Sequence, residues 1–299
     1  MPTIRTPNAP LSGTYSKEKR SRMMRIARVW MPAVASLSML LAITGCNKLK
    51  ARDQLNKGVQ AYKNARYEEA INHFQTAVNL DPSLTMTHMY LATAYAQQVV
   101  PQSDAPQNIA LANHAITAYK DALKIDPNNV NAIKGIASIY FSINKPDDAK
   151  EWQQKVLAAD PKDPEAYYTI GVIDWNKARK NSLQVLADNG LTDKGDGAPG
   201  LPKKACEQLA QQNGPFVDEA LDVLHKAIDL RPSYEEAMAY VNLIYRQKAE
   251  IECGNADARK ADIQQAEDWT QKALGARKAN VEKANKAAAA KGGVAPPSR

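Results

Sequence analysis

The residues that could do chemistry in this 299-residue chain are few and scattered. Asp193 and Asp196 lie in the segment TDKGDG, which lacks the alternating acids and the distal glutamate of a calcium-binding EF-hand loop. Phosphate-binding, nucleophile-elbow and dinucleotide-binding motifs are absent from the sequence. No H-E-x-x-H or Cys/His zinc spacing includes any of the four histidines, which are His73, His88, His114 and His225. The sequence therefore predicts a protein without a metal, a cofactor or catalytic activity.

The first of the three cysteines ends a segment with the layout of an export signal. Arg22, Arg25 and Arg28 precede an apolar run, residues 29–43, that is too short to span a bilayer comfortably. The ending Ile-Thr-Gly-Cys at 43–46 resembles the bacterial lipobox, in which the cysteine is acylated and becomes the new N-terminus. We therefore expect residues 1–45 to be a lipoprotein signal peptide, Cys46 to carry lipid such as palmitate, and residues 46–50 to be a lipidated linker. The alternative is an uncleaved signal anchor.

The positive charge of the chain is concentrated at its two ends. The formal net charge is +7, and residues 1–45 hold seven Lys+Arg and one acid, which is +6 of that total. A chain without residues 1–45 is therefore close to neutral, so a nucleic-acid partner is not favoured. Residues 275–299 form an Ala/Lys-rich basic segment, expected to start as a helix and end disordered. A solvated tail is the simplest interpretation of it, and contact with anionic lipid or cell-wall polymer is the alternative.

One pattern of small, large and small side chains followed by proline recurs along the chain. The residues lie four and three apart, which places them on one face of a helix that the proline ends. The pattern is weaker at Ala149 with Pro161. It is clearest at Ala70, Phe74, Ala77 and Pro82; at Ala115, Tyr119, Ala122 and Pro127; and at Ala220, Leu224, Ala227 and Pro232.

This pattern resembles the tetratricopeptide repeat, a 34-residue helix-turn-helix with small residues, an aromatic and a proline at fixed places. Gly58 also matches that signature in the first unit. The resemblance implies an all-α solenoid of about five repeats with a capping helix, since each repeat buries its apolar face only against a neighbour. The expected units are 51–84, 85–129, 130–163, 164–234 and 235–274, which together form a solenoid over 51–274.

Three of the expected repeats are too long, and the surplus residues lie between helix A and helix B. The second repeat has about eleven extra residues and the fifth about twelve. The fourth has about 37, in the region 176–217. Its composition predicts an extension of helix A over 176–187, a Gly/Pro/Asp loop over 188–204 and a short separate helix over 205–214.

The remaining two cysteines, Cys206 and Cys253, are expected to approach each other in a tetratricopeptide solenoid. Both would lie at A-to-B turns, which emerge at the same edge of the array. An exported protein meets conditions in which a disulfide can form. The alternative is two unpaired thiols.

The resemblance also implies a working surface, because helix A residues line the inner groove of tetratricopeptide proteins. An apolar, aromatic groove with a few polar groups suits recognition of a peptide segment. Trp175 adjoins the long insertion, so packing against that insertion is the alternative for it. The groove residues expected here are Leu55, Tyr62, Met89, Gln97, Lys134, Phe141, Tyr168, Trp175 and Arg246.

The sequence as a whole predicts a non-enzymatic scaffold or adaptor of the cell envelope. We expect it to bind a protein or peptide, and to be attached through its N-terminal lipid to the periplasmic face of the outer membrane of a didermic bacterium. Assembly of a pilus, a secretion system or an outer-membrane machine is the most concrete role. The alternatives are an adaptor of cell-wall hydrolases and a signal-anchored protein that faces the cytosol. The partner's identity and the oligomeric state do not follow from the sequence.

Overall fold

The computed structural model describes residues 46–290, so the expected signal peptide and residues 291–299 lie outside the described residues. Every regular element in 46–290 is an α-helix. None of these described helices is both long and apolar enough to cross a membrane. The helices are α1 (described over 46–63), α2 (Tyr67–Leu80), α3 (Thr85–Ala96), α4 (Pro106–Ile125), α5 (Val130–Ser142), α6 (Pro146–Ala159), α7 (Pro164–Asp188), α8 (Lys203–Leu230), α9 (Glu235–Glu250) and α10 (Ala256–Ala290).

The prolines of the repeat end four helices in the same way. The residue before each proline lies outside the α region, with φ of −146° at Asp81, −129° at Asp126, −136° at Asp160 and −137° at Arg231. A following proline disfavours the α region for this residue. The N–H of each of these residues still donates to the carbonyl four residues back. The helix therefore closes its last turn before the chain reverses into the next helix.

The chain divides into two compact units, and the first extends to Leu91. Phe74 of α2 is fully buried in it and stacks on Tyr90, with the ring centroids 5.5 Å apart. The ring also fills the space beside Gly58 of α1, where an added Cβ would lie 2.4 Å from Phe74 Cε1. Only glycine allows the two helices to approach this closely.

The second unit begins at Ala92 and contains helices α4 to α10. Its repeat residues Ala220, Leu224 and Ala227 are all fully buried in one core cluster with Val241 and Ile244 of α9. A second, smaller cluster joins α5, α6 and α7 through Ile133, Val156 and Ala166. The residues of the small-large-small pattern thus form the packed contacts between neighbouring helices.

Three expected boundaries differ from the structure. Residues 46–50, expected to be a linker, are already helical. The short helix expected over 205–214 is continuous with α8, which passes through Pro215. Pro215 cannot donate a hydrogen bond to the carbonyl of Gln211, a residue that is exposed. The expected capping helix is likewise continuous with the last helix B, as α10. The extension of helix A is present, because α7 runs to Asp188.

The long α7–α8 hairpin is held to α9 by a disulfide and by buried amides. The structure joins Cys206 at the start of α8 to Cys253 in the turn after α9, with a Cα–Cα distance of 5.6 Å. Farther along the hairpin, Asn213 Nδ2 donates to the carbonyl of Ala178 at 2.9 Å and to Ser182 Oγ at 3.1 Å. Ser182 Oγ in turn donates to Gln247 Oε1 of α9 at 2.9 Å. These buried polar groups satisfy one another and fix the three helices in register.

Candidate functional site

The A helices of three successive repeats enclose a cavity of about 360 Å³ in the second unit. We call it the α5–α7–α9 cavity. Each of the three helices contributes to its lining, and the buried side chain of Gln153 closes it from α6. The residues used below are Lys134, Ser138 and Phe141 of α5, Tyr168 and Val172 of α7, and Tyr240 of α9.

Four aromatic side chains form a continuous row beside this cavity. The ring centroid of Tyr168 lies 5.1 Å from that of Tyr234 and 5.6 Å from that of Tyr240. Tyr240 is also 5.3 Å from Trp175, at an interplanar angle of 85°. Edge-to-face packing of this kind is favourable for aromatic rings and holds each ring in one orientation. The row is therefore a rigid apolar surface.

The start of α7 is fixed on both sides, which places Tyr168. Asp163 caps the helix, because its Oδ1 accepts from the N–H groups of Glu165 at 2.9 Å and Ala166 at 3.3 Å. Asp163 also forms an ion pair with Lys134. Glu165 accepts from Arg231 Nη1 at 2.7 Å and from the Tyr234 hydroxyl. The helix is thus bound to α5 and to the turn between α8 and α9.

The tyrosines of the row remain neutral over the physiological pH range. Burial, followed by the neighbouring Tyr240, raises the pKa of Tyr168 to about 12. Burial and the hydrogen bond to Glu165 also raise the pKa of Tyr234. The cavity therefore combines an apolar wall with neutral phenols, the Ser138 hydroxyl and the Lys134–Asp163 ion pair. This arrangement can hold an apolar side chain while polar groups at its edge meet the backbone that carries it.

A second, larger cavity of about 710 Å³ shares Phe141 with the first. Its wall includes Lys177 and Lys180 of α7 and Phe216 of α8. Lys177 forms an ion pair with Asp147 and lies 5.4 Å from the Phe216 ring centroid. Phe141 lines both cavities and is 42% exposed. It is therefore an accessible apolar side chain between two concave surfaces.

The loop of the long insertion reaches two of the residues expected in the groove. Trp175 and Arg246 line a small cavity of about 190 Å³ together with Asp193 and Gly195 of that loop. Arg246 Nη1 donates to the Gly195 carbonyl at 2.7 Å, and its guanidinium pairs with Glu267. Arg246 therefore holds the insertion loop and α10. Trp175 meets the insertion on this side and the aromatic row on the other.

The other expected groove residues are distributed over both units. Leu55 and Tyr62 of α1 and Met89 of α3 are partly buried in the first unit, and Gln97 is exposed in the second. Lys134, Phe141 and Tyr168 do come together around one cavity. Tyr240 also lines this cavity but was not among the expected groove residues; it lies one residue from the place that the proline alignment gives to a groove residue. Its aromatic character on a helix A was the available signal.

A buried ion cluster behind the aromatic row fixes the rotation of α7. Asp174 is fully buried, and its Oδ1 accepts from Lys150 Nζ of α6 at 2.6 Å. Lys150 also pairs with Glu219 of α8 at 2.9 Å. Burial raises the pKa of Asp174 to about 6; Glu219 also raises it, and Lys150 opposes the shift. Because Asp174 precedes Trp175, these contacts help to set the direction of the tryptophan ring.

Asp174 should make stability fall as pH rises from about 4 to about 6. The pKa of this carboxyl is about 6 when folded, against a reference value of 3.8, so the folded state binds more protons in this interval. The expected loss is at most roughly 3 kcal/mol. Asp174→Asn should flatten this part of the curve of unfolding free energy against pH, measured by urea denaturation. Parallel curves of unfolding free energy against pH for Asp174→Asn and the wild type would contradict this prediction. The control is Asp188→Asn, a change at an exposed residue of α7, which should leave the curve parallel to that of the wild type.

Comparison with known proteins agrees with the repeat pattern. The family described as "Tetratricopeptide repeat" matches residues 112–170, a segment that includes α5 and α6. Photosystem I assembly protein Ycf3 from one strain of Prochlorococcus marinus is 26% identical over 151 residues, which are 49% of this chain and 74% of that protein. The protein of the same name from a second strain of Prochlorococcus marinus is 27% identical over the same shares.

Solved structures are similar in fold. The crystal structure of MamA protein has a TM-score of 0.51 at 17% identity and covers 78% of this chain and 94% of its own. The structure of MamA from residue 41 to its end, from Desulfovibrio magneticus RS-1, has a TM-score of 0.50 at 17% identity, with coverages of 77% and 96%. The predicted fold class is thereby confirmed: the described residues form an all-α solenoid of the tetratricopeptide type.

Proposed function

We propose that this protein is a lipid-anchored scaffold of the bacterial cell envelope that binds an extended segment of another protein, without catalysing a reaction. The observation that carries the proposal is the aromatic row beside the α5–α7–α9 cavity. Tetratricopeptide arrays act through concave binding surfaces, and this cavity lies on the helices that line such a surface. Aromatic side chains in a preformed pocket are the residues that most often dominate protein recognition.

The lining of the cavity supports one mode of binding for the segment. A side chain of leucine or phenylalanine size enters the cavity between Phe141 and the aromatic row. Lys134 and Ser138 are placed to meet polar backbone groups of the segment at the cavity edge. The segment continues past Phe141 toward Lys177 and Lys180 in the second cavity. Because α7 is capped and ion-paired, little ordering of the protein is needed on binding, which favours affinity.

Assembly of an envelope machine is the role that we propose for this binding. The name of the relatives in Prochlorococcus marinus describes an assembly protein, and a non-enzymatic repeat scaffold suits such work. A pilus, a secretion system or an outer-membrane machine is the proposed client. Retention of cell-wall hydrolases among crosslinked partners would favour a hydrolase adaptor instead. A mature N-terminus that keeps residues 1–45 would favour a signal-anchored protein that faces the cytosol.

Phe141→Ala combined with Tyr168→Ala should weaken partner binding at least about 30-fold, the loss expected when hot-spot side chains are truncated. The experiment is a crosslinking pull-down from envelope membranes, followed by affinity measurement with the captured partner. Far-ultraviolet circular dichroism establishes that the variant remains helical.

Leu183→Ala is the matched control for this test. Leu183 is 45% exposed, close to the 42% of Phe141, and does not line the α5–α7–α9 cavity. Its truncation should leave the affinity within about twofold, as for a neutral contact. If the double variant keeps wild-type affinity with intact helicity, the cavity is not the binding site. If Leu183→Ala weakens binding equally, the partner uses the hairpin surface instead.

A further inference from the structure

If the protein is attached to a membrane at Cys46, no flexible linker separates the membrane from the first unit, because the chain is helical from Cys46 onward. Cys46 is exposed at the start of the described part of α1, and Ala51 of the same helix is fully buried in the unit. At 1.5 Å per residue, the two are about 7.5 Å apart along the helix axis. Either a lipid on Cys46 or a retained signal anchor therefore brings this end of the unit to the membrane surface.

The same end carries a cluster of positive charge. Lys48, Lys50 and Arg52 are all exposed within the first turns of α1. The acid in this stretch, Asp53, pairs with Lys57 at 2.7 Å. Asp53 is therefore engaged by Lys57, and the three exposed cations give this end of the helix a positive surface.

The turn between α2 and α3 lies at this end as well. Ser83, and after it Lys48 and Arg52, lower the pKa of Asp81 in that turn. Asp81 is buried, and its carboxylate accepts from the Ser83 hydroxyl at 2.6 Å. This single carboxylate offsets part of the charge of Lys48 and Arg52, so the three cations Lys48, Lys50 and Arg52 keep a net positive charge at this end.

Two large apolar side chains are exposed at this end. Leu49, between Lys48 and Lys50, is 72% exposed, and Met86 in the first turn of α3 is 61% exposed. Apolar side chains flanked by lysine and arginine are the composition of surfaces that insert shallowly among anionic headgroups. We call Lys48, Leu49, Lys50, Arg52 and Met86 the α1 end face.

We propose that the α1 end face docks on an anionic phospholipid surface, with the cations at the headgroups and Leu49 and Met86 at the acyl boundary. This rests on the proposed attachment at Cys46 and adds a second contact beside it. A polybasic patch beside a lipid anchor is a recognised additional signal for membrane binding. The docked face would hold the first unit in one orientation against the membrane.

Lysine footprinting of the mature protein tests this proposal. The protein is placed in nanodiscs of phosphatidylcholine alone, or in nanodiscs with roughly a third phosphatidylglycerol, and acetylation is read by mass spectrometry. Lys48 and Lys50 should be acetylated about fivefold more slowly on the anionic discs, the factor for one cation–headgroup contact. Lys57 and Lys63 of the same helix should not change. At about 1 M salt, where screening acts within about 3 Å, the protection should disappear.

A pair of variants uses Lys50 as the reporter. Lys48→Gln with Arg52→Gln should abolish most of the protection of Lys50, whereas Lys63→Gln with Arg66→Gln, which leaves the Lys57–Asp53 pair intact, should preserve it. Equal labelling of Lys50 on both kinds of disc in the wild type would overturn the proposal. The mass of the N-terminal peptide reports acylation of Cys46 separately. An unacylated peptide with protected lysines would reject the lipid anchor and retain the docking face. An acylated peptide with unprotected lysines would retain the lipid anchor and reject the docking face.

Discussion

Gly58→Leu should disrupt the first repeat and lower the free energy of unfolding by about 3 kcal/mol, the upper end of the usual cost of overpacking. A single added carbon at Gly58 would already lie 2.4 Å from the ring of Phe74. That ring is fully buried and stacked on Tyr90, so it has no free space into which to move. Urea denaturation followed by circular dichroism measures the loss, and limited proteolysis should map the new cleavage sites to residues 46–91.

The control for this prediction is Gly275→Leu. Gly275 lies inside helix α10, and an added Cβ would meet no atom within 4 Å. Leucine there should stabilise the helix by several tenths of a kcal/mol to about 1 kcal/mol. In addition, Phe74→Ala should cost less in the Gly58→Leu background than in the wild type, because the two changes share one contact. If the losses of unfolding free energy in the two single variants add up in the double variant, or if Gly58→Leu keeps the wild-type urea midpoint, the contact between position 58 and Phe74 does not determine which side chains this site tolerates.

Loss of the Cys206–Cys253 bond should destabilise the second unit by about 3–4 kcal/mol. The bond closes a loop with a sequence separation of 47 residues, and its removal restores the freedom of that loop in the unfolded chain. Because the bond ties the start of α8 to the turn after α9, the insertion loop near Arg246 should also become more accessible to protease. Thermal or urea denaturation of Cys206→Ala with Cys253→Ala, compared with the wild type, measures the effect.

Single variants sharpen this test, because either one breaks the bond. Cys253→Ala alone should cost nearly as much as the double variant, and reductant should destabilise the wild type but leave the double variant unchanged. Mass mapping without reduction should recover the two cysteines in one linked peptide pair. Two free thiols in the mature protein, or a wild type indifferent to reductant, would exclude a stabilising bond here.

The fold was predictable from local spacing because each repeat encodes its own packing. Ala70, Phe74 and Ala77 identify a helix face without knowledge of its partner, and the residue before each proline leaves the α conformation, which the following proline disfavours. The same periodicity places Lys134, Phe141 and Tyr168 on one side of successive A helices, so their meeting around one cavity follows from the repeat. Local spacing is therefore sufficient to predict those parts of the fold and of the cavity that are formed by contacts between neighbouring repeats.

Features set by distant parts of the chain were not predictable in this way. The path of the insertion loop decides that Arg246 binds the carbonyl of Gly195, and no period in the sequence describes that loop. Proline alignment of the last repeat placed the groove one residue away from Tyr240. The separate helix expected over 205–214 is instead the first part of α8, which continues through Pro215. In each of these cases tertiary contacts or solvent access outweighed the local signal.

The continuity of α10 has a consequence for how this array could have grown. Helix B of the last repeat and the helix that closes the stack are one uninterrupted element, Ala256–Ala290. A further repeat added after it would require a new turn inside that helix, of the kind that proline supplies after the other B helices. Duplication of whole repeats upstream of α9 requires no such break. Among the described residues, α9 is thus the last A helix, and a repeat duplicated upstream of it would leave α10 uninterrupted.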